Sequence, residues 1–186
     1  MRGFTLIELV ITFGILVTIA TLLLADYPRF VARVNLTRDA QEIALNVRQA
    51  QAFALAVRGF DTGAGTVFEA WGVNFDISVS DKEYALFVDY NPANSDYDPP
   101  LELAQTFQIG AGTRIVDLCA EQKTSPPGTC NLQGLERLDI TYRRPNPTTT
   151  LKGNRTEYQD LEIVIEGREG ARKTIVVWRS GQVTIE

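Results

Sequence analysis

The spacing of apolar positions changes character twice along this chain. Residues 4–25 are apolar almost without interruption, and Glu8 is the only charged side chain among them. A helix over those residues would be about 33 Å long at roughly 1.5 Å per residue, enough to cross a hydrocarbon core of about 30 Å. A secretory signal would show a shorter apolar core closed by small residues at a cleavage site. Here the run passes through Ala25-Asp26-Tyr27-Pro28 into a polar-faced helix, which reads as a membrane anchor that is retained. From Arg29 to Arg58 the pattern becomes helical and one-sided. Leu36, Ala40, Ile43, Val47, Ala50, Ala54 and Val57 recur at spacings of three and four and form one apolar stripe. The stripe is expected to pack on the chain's own globular domain, being short and rich in Ala for a coiled coil. Arg38, Asp39, Glu42, Asn46 and Gln49 lie off it and should face solvent or a neighbour. Pro28 lacks an amide hydrogen and predicts a kink or brief break near residues 26–28. Gly59, directly after Arg58, suits the helix C-terminus.

Beyond Gly59 the period shortens to two. Runs rich in β-branched and aromatic residues predict strands near Val67–Asn74, Tyr84–Asp89, Leu103–Ile109, Arg114–Asp117, Leu138–Tyr142, Leu161–Glu166, Lys173–Trp178 and Gln182–Ile185. Ser180-Gly181 is the tight turn of a C-terminal hairpin, and Arg143 to Asn154, with its prolines, threonines and Gly153, reads as a surface loop. The expected architecture is α+β: a long N-terminal helix, its first half spanning a membrane, with the second half laid on an antiparallel sheet in a lollipop-shaped subunit. The corresponding segments are a leader (1–3), a transmembrane half-helix (4–25), an amphipathic half-helix (26–58) and a β-rich exported domain (59–186).

Composition narrows the function. The net charge of −5 disfavours a nucleic-acid surface, and the absence of histidine removes Ser-His-Asp and Cys-His catalysis and any His-containing metal site. Nothing in the sequence recommends a carboxylate-only enzyme, so none is expected. Cys119 and Cys130 fit one disulfide in an exported domain, closing a short loop through Pro126-Pro127-Gly128; free thiols or metal ligands are the alternatives.

Two constellations carry candidate chemistry. Glu8 would cost up to about 2.5–3.5 kcal/mol at the centre of a membrane helix. Either it sits close enough to the interface to reach water, or it meets a positive partner within the bilayer. The second is the stretch from Asp89 to Glu102, where Asp89, Asn91, Asn94, Asp96, Asp98 and Glu102 place oxygen ligands at near-alternate positions. Such spacing resembles an EF-hand-like calcium loop, but an extra residue lies between Asn91 and Asn94, the central Gly is missing and Glu102 falls one position late. Calcium is therefore a possible ligand, and an acidic surface turn is the alternative.

Gly3-Phe4-Thr5-Leu6-Ile7-Glu8, with the apolar run behind it, resembles the type III signal of type IV pilins and of the pseudopilins of type II secretion. That resemblance implies a prepilin peptidase cutting between Gly3 and Phe4, N-methylation of Phe4, and pairing of Glu8 with the N-terminal amine of a neighbouring subunit during assembly. It implies other pilin or pseudopilin subunits, the peptidase, a membrane assembly platform and inner-membrane lipid as partners. It also implies a single-pass protein of the bacterial inner membrane, its N-terminus cytoplasmic and its C-terminal domain exported, that later enters the filament. The leader Met1-Arg2-Gly3 has the sign expected of a cytoplasmic end. Asn46-Val47-Arg48-Gln49-Ala50-Gln51-Ala52-Phe53-Ala54 and the ending from Thr174 to Val183 resemble the minor-subunit group that includes the type II secretion protein H and the FimT pilins. The function so implied is a minor structural subunit of a pilus or pseudopilus. The alternative is a tip adhesin or DNA-uptake pilin. DNA is not an expected partner, because the basic Gly-Arg tail of DNA-binding FimT members has no counterpart in Gly181-Gln182-Val183-Thr184-Ile185-Glu186.

Overall fold

The computed structural model describes residues 5–90, 94–144 and 148–186. A single helix, α1 (Leu6–Leu55), opens the chain, capped by the Thr5 hydroxyl, which accepts the Glu8 amide at 3.3 Å. The helix runs through Pro28 without the break that the proline predicts. One missing backbone bond is offset by long helical segments on either side, which hold the ring in register. The end also differs from expectation: the helix stops at Leu55, and Val57, in the left-handed region at φ 56°, turns the chain out before Gly59 is reached. Arg58 then caps the aromatic layer. Its guanidinium lies 3.9 Å from the Phe53 ring centroid, and its carbonyl accepts the Trp71 indole N–H at 3.0 Å.

The remainder is antiparallel β. A small hairpin, β1 (Phe60–Asp61) and β2 (Thr66–Val67), leads into β3 (Ala70–Asp76), β4 (Glu83–Asp89) and β5 (Leu103–Gln108). Then come β6 (Arg114–Ala120), β7 (Thr129–Cys130), β8 (Arg137–Arg143), β9 (Thr148–Gly153) and β10 (Thr156–Glu157), followed by β11 (Asp160–Glu166), β12 (Arg172–Trp178) and β13 (Val183–Ile185). These build two principal sheets rather than the one expected, with strand orders β10-β9-β8-β3-β4-β5 and β13-β12-β11-β6-β7. Alternation along each strand sends one set of side chains inward: Val73 and Phe75, Leu138 and Ile140, Ile163 and Ile165, Ile175 and Val177 all enter one buried core. Helix residues Leu36, Ala40, Ile43, Val47, Ala50 and Ala54 complete that core, so the stripe read from the sequence is the packing face, except that Val57 is exposed. Alanine lets the helix backbone approach both sheets.

Two polar residues expected to face outward are buried instead. Asp39 is 7% exposed and Asn46 9%. The helix contacts both sheets, so a wider arc of its surface is covered than a single sheet would cover. Asn46 is satisfied there, donating its amide to the Tyr84 hydroxyl at 2.7 Å, and burial pushes that phenol up to about 12. The predicted loop from Arg143 to Asn154 is also corrected: β9 occupies much of it and pairs with β8 from Leu138↔Gly153 to Arg143↔Thr148. Its signal was the β-branched run Thr148-Thr149-Thr150, which the flanking prolines and glycine obscured.

Candidate functional site

The first half of α1 is the most unusual surface of the protein. Every residue from Thr5 to Leu24 is exposed, although nearly all are apolar. The helix is long and apolar enough to cross a membrane. Its few hydroxyls are satisfied internally: Thr12 donates to the Leu9 carbonyl, Thr18 to Gly14 and Thr21 to Val17 at 2.7–2.9 Å. An outer surface with no unmet hydroxyl suits an environment without water. Glu8 is the exception. Its carboxylate has no hydrogen-bond or ion-pair partner among the described residues. The processing candidates Gly3 and Phe4 lie outside the described residues.

The acidic stretch between β4 and β5 folds back over the outer face of the six-stranded sheet. Gly72 leaves the room there, since a Cβ in its place would press into the Phe87 ring, and Tyr97 packs on that ring with centroids 5.2 Å apart. Asp89 is fully buried, and its oxygens accept the amides of Asn94 and Ser95 at 2.9 and 3.0 Å and the Arg143 guanidinium at 2.7 Å. Glu102, also fully buried, accepts the amides of Tyr90 and Asp98 at 3.0 and 2.8 Å. Asp96 faces the Lys152 ammonium at 3.3 Å, Asn94 donates to Asp98 at 3.0 Å, and Asn91 lies outside the described residues. The described residues do not fit a calcium cage. A cation would have to displace two amides at each of Asp89 and Glu102 while facing Arg143 and Lys152 with like charge. Calcium and magnesium are accordingly expected to give the same small shift in melting temperature, and Asp98→Ala should respond as the wild type does. A thermal scan with each ion decides it, and a shift specific to calcium would contradict this geometry.

The residues that hold this loop escaped the sequence reading. Arg137, Asp139, Thr141 and Arg143 alternate along β8 and form its outer face, a period-two polar pattern visible once the strand is placed. Asp139 is fully buried and accepts Arg137 Nε at 2.9 Å, Asn74 at 2.8 Å and the Tyr97 amide at 3.2 Å. Arg137 also donates to the Tyr97 carbonyl. Burial pushes the Asp139 carboxyl above the usual carboxylate range, and Arg137 pulls it back.

Cys119 and Cys130 stand opposite each other on β6 and β7 and form a disulfide. Asp117 lies beside them, but the bonded sulfurs are not free to act as metal ligands. The closed loop is short, so reduction is expected to cost about 2–3 kcal/mol through the regained freedom of the unfolded chain. Urea unfolding with and without reductant measures it; identical midpoints would contradict a stabilising crosslink. Of the basic residues outside the helix, Arg143 pairs with Asp89, Arg172 with Glu166 at 2.8 Å, and Arg144 donates to the Phe68 carbonyl at 3.1 Å. No family model, curated protein or solved structure matches the chain.

Proposed function

We propose that this protein is a non-enzymatic, membrane-anchored subunit of a type IV pilus or type II secretion pseudopilus, in a minor role, assembled through its N-terminal helix. One observation supports this most: a single 50-residue helix is divided between an exposed apolar half, whose one carboxylate has no partner among the described residues, and a half buried on β-sheets. Burying the exposed half removes water from a large apolar surface, first in lipid and then against the same segment of other subunits. A carboxylate there has a role if assembly brings it a cation, and the Phe4 amine exposed by cleavage after Gly3 is the cation the motif implies. Arg143 and Arg172 pair with acids of the same chain, which takes two basic side chains away from any surface that would capture DNA. The test is Gly3→Leu expressed with the matching peptidase and assembly platform. The variant should stay in the membrane with its leader attached and be missing from filaments; processed, incorporated Gly3→Leu would overturn the reading.

A further inference from the structure

The two principal sheets end on β10, β5, β13 and β7. Three of these are strands of two or three residues, whereas β5 has six, and Leu103-Ala104-Gln105-Thr106-Phe107-Gln108 carries no charge. Exposed edges are ordinarily kept short or guarded by charged side chains and proline, so this one is left open. The phase of its backbone follows from the bond that the Ile109 amide donates to the Lys82 carbonyl at 2.8 Å, next to the pair Glu83↔Gln108. Such bonds recur at alternate residues of an antiparallel ladder. Phe107 therefore faces β4, and the amides and carbonyls of Thr106 and Gln108 point outward. Neither residue's backbone has another partner among the described residues.

Beside this edge, on the outer face of the same sheet, lies a depression of about 220 Å³. Thr106 and Leu103 of β5 line it together with Val79, and its floor includes Asn74, which is 5% exposed. Asn74 turns its amide nitrogen to Asp139 and to the Leu138 carbonyl on β8, which leaves its oxygen without a partner among the described residues. Asp76 and Glu83 also line the depression. Among the described residues their carboxylates are bonded only to Ser78 and Gln108, and neither makes an ion pair. Arg137 on the far wall is already engaged by Asp139 and the Tyr97 carbonyl. What stays open is a buried acceptor and two carboxylates between apolar walls. A Lys or Arg side chain matches this, its stem lying along Val79 and Leu103 and its head meeting the acceptors.

Edge and depression are in register. A residue of an added strand opposite Thr106 would exchange both backbone bonds with it, and its side chain would emerge on the same face, about 4.5–5.5 Å away at Cβ. We propose that β5 accepts an extended segment of a partner protein as a further strand, with a lysine or arginine opposite Thr106 reaching into the depression. Backbone bonds supply the affinity and the cationic side chain the selectivity. A second copy of β5 offers no cation for the site, since the strand has none. The site does not depend on the membrane-anchor reading.

The probe is a labelled peptide, acetyl-Ser-Val-Thr-Lys-Thr-Val-Ser-amide, titrated by fluorescence anisotropy into the full chain in mild detergent. It should bind saturably, and norleucine in place of its lysine should weaken binding about tenfold, the worth of a hydrogen bond to a charged group. Glu83→Gln should weaken the lysine peptide about threefold, as loss of a partly exposed pair does, and leave the norleucine peptide unchanged. N-methylation of the lysine amide should abolish binding, whereas at an adjacent threonine, whose N–H points away from β5, it should not. Thr106→Pro removes an outward N–H without breaking a bond to β4 and should likewise abolish binding. Absence of binding, equal affinity for the lysine and norleucine peptides, or indifference to the position of the N-methyl group overturns the site. A dimer that Thr106→Pro dissolves, without peptide binding, would assign the edge to a second copy and overturn the partner.

Discussion

Glu8→Ala is expected to enter membranes at least as well as the wild type and to be nearly absent from filaments. The substitution removes a carboxylate that costs up to about 2.5–3.5 kcal/mol in a bilayer, so insertion should not suffer. Under the proposed function it also leaves the Phe4 amine of a neighbour without its acid inside the filament. Removing one member of a buried pair costs about 3–5 kcal/mol, which corresponds to a fall in incorporation on the order of a hundredfold or more. Immunoblots of carbonate-washed membranes and of sheared filaments report the two steps separately. Normal incorporation would mean that Glu8 only reaches water near the interface.

Arg137→Met should destabilise the β domain by about 3–5 kcal/mol at neutral pH, because Asp139 remains fully buried with its charge uncompensated. The Tyr97 carbonyl loses its donor in the same step. The sign of the pH dependence follows from the direction of the Asp139 shift. Burial already raises that carboxyl, and without Arg137 it rises further, so the folded state holds the proton more tightly than the unfolded state does. This group's favourable contribution is complete below the unfolded value and is lost as pH rises through the folded one. The variant should therefore lie closest to wild type in acid and furthest below it near neutrality. Adding Asp139→Asn should restore much of the loss. Thermal unfolding in mild detergent across pH checks this, and a deficit independent of pH would show that the ion pair is not what holds the loop.

How far such features can be read from sequence depends on the range of the interactions behind them. The stripe from Leu36 to Ala54 was legible because helical period and burial coincide on one element. The burial of Asp39 and Asn46 was not legible, since it arises from a helix touching two sheets, and nothing local separates one sheet from two. Most strands were visible as alternating runs. β9 was missed because Thr148 to Gly153 is flanked by turn-forming residues and acquires its strand character by pairing with β8. The acidic loop was legible as a cluster of carboxylates, but its partners Arg137, Arg143 and Lys152 come from strands far along the chain. The Cys119–Cys130 pairing followed from a count of two, and the expected helix end at Gly59 gave way to a left-handed Val57 that no propensity favours. For Glu8 the sequence supplies the motif and the structure supplies an exposed helix around a carboxylate without a partner among the described residues.

The most direct measurement is intact-protein and N-terminal peptide mass spectrometry of the chain extracted from membranes that contain the matching peptidase. The pilin-like reading predicts a mature protein beginning at N-methylated Phe4 with the apolar half of the helix retained. A chain that keeps Met1, or one cut beyond the apolar run near Ala25, would contradict it.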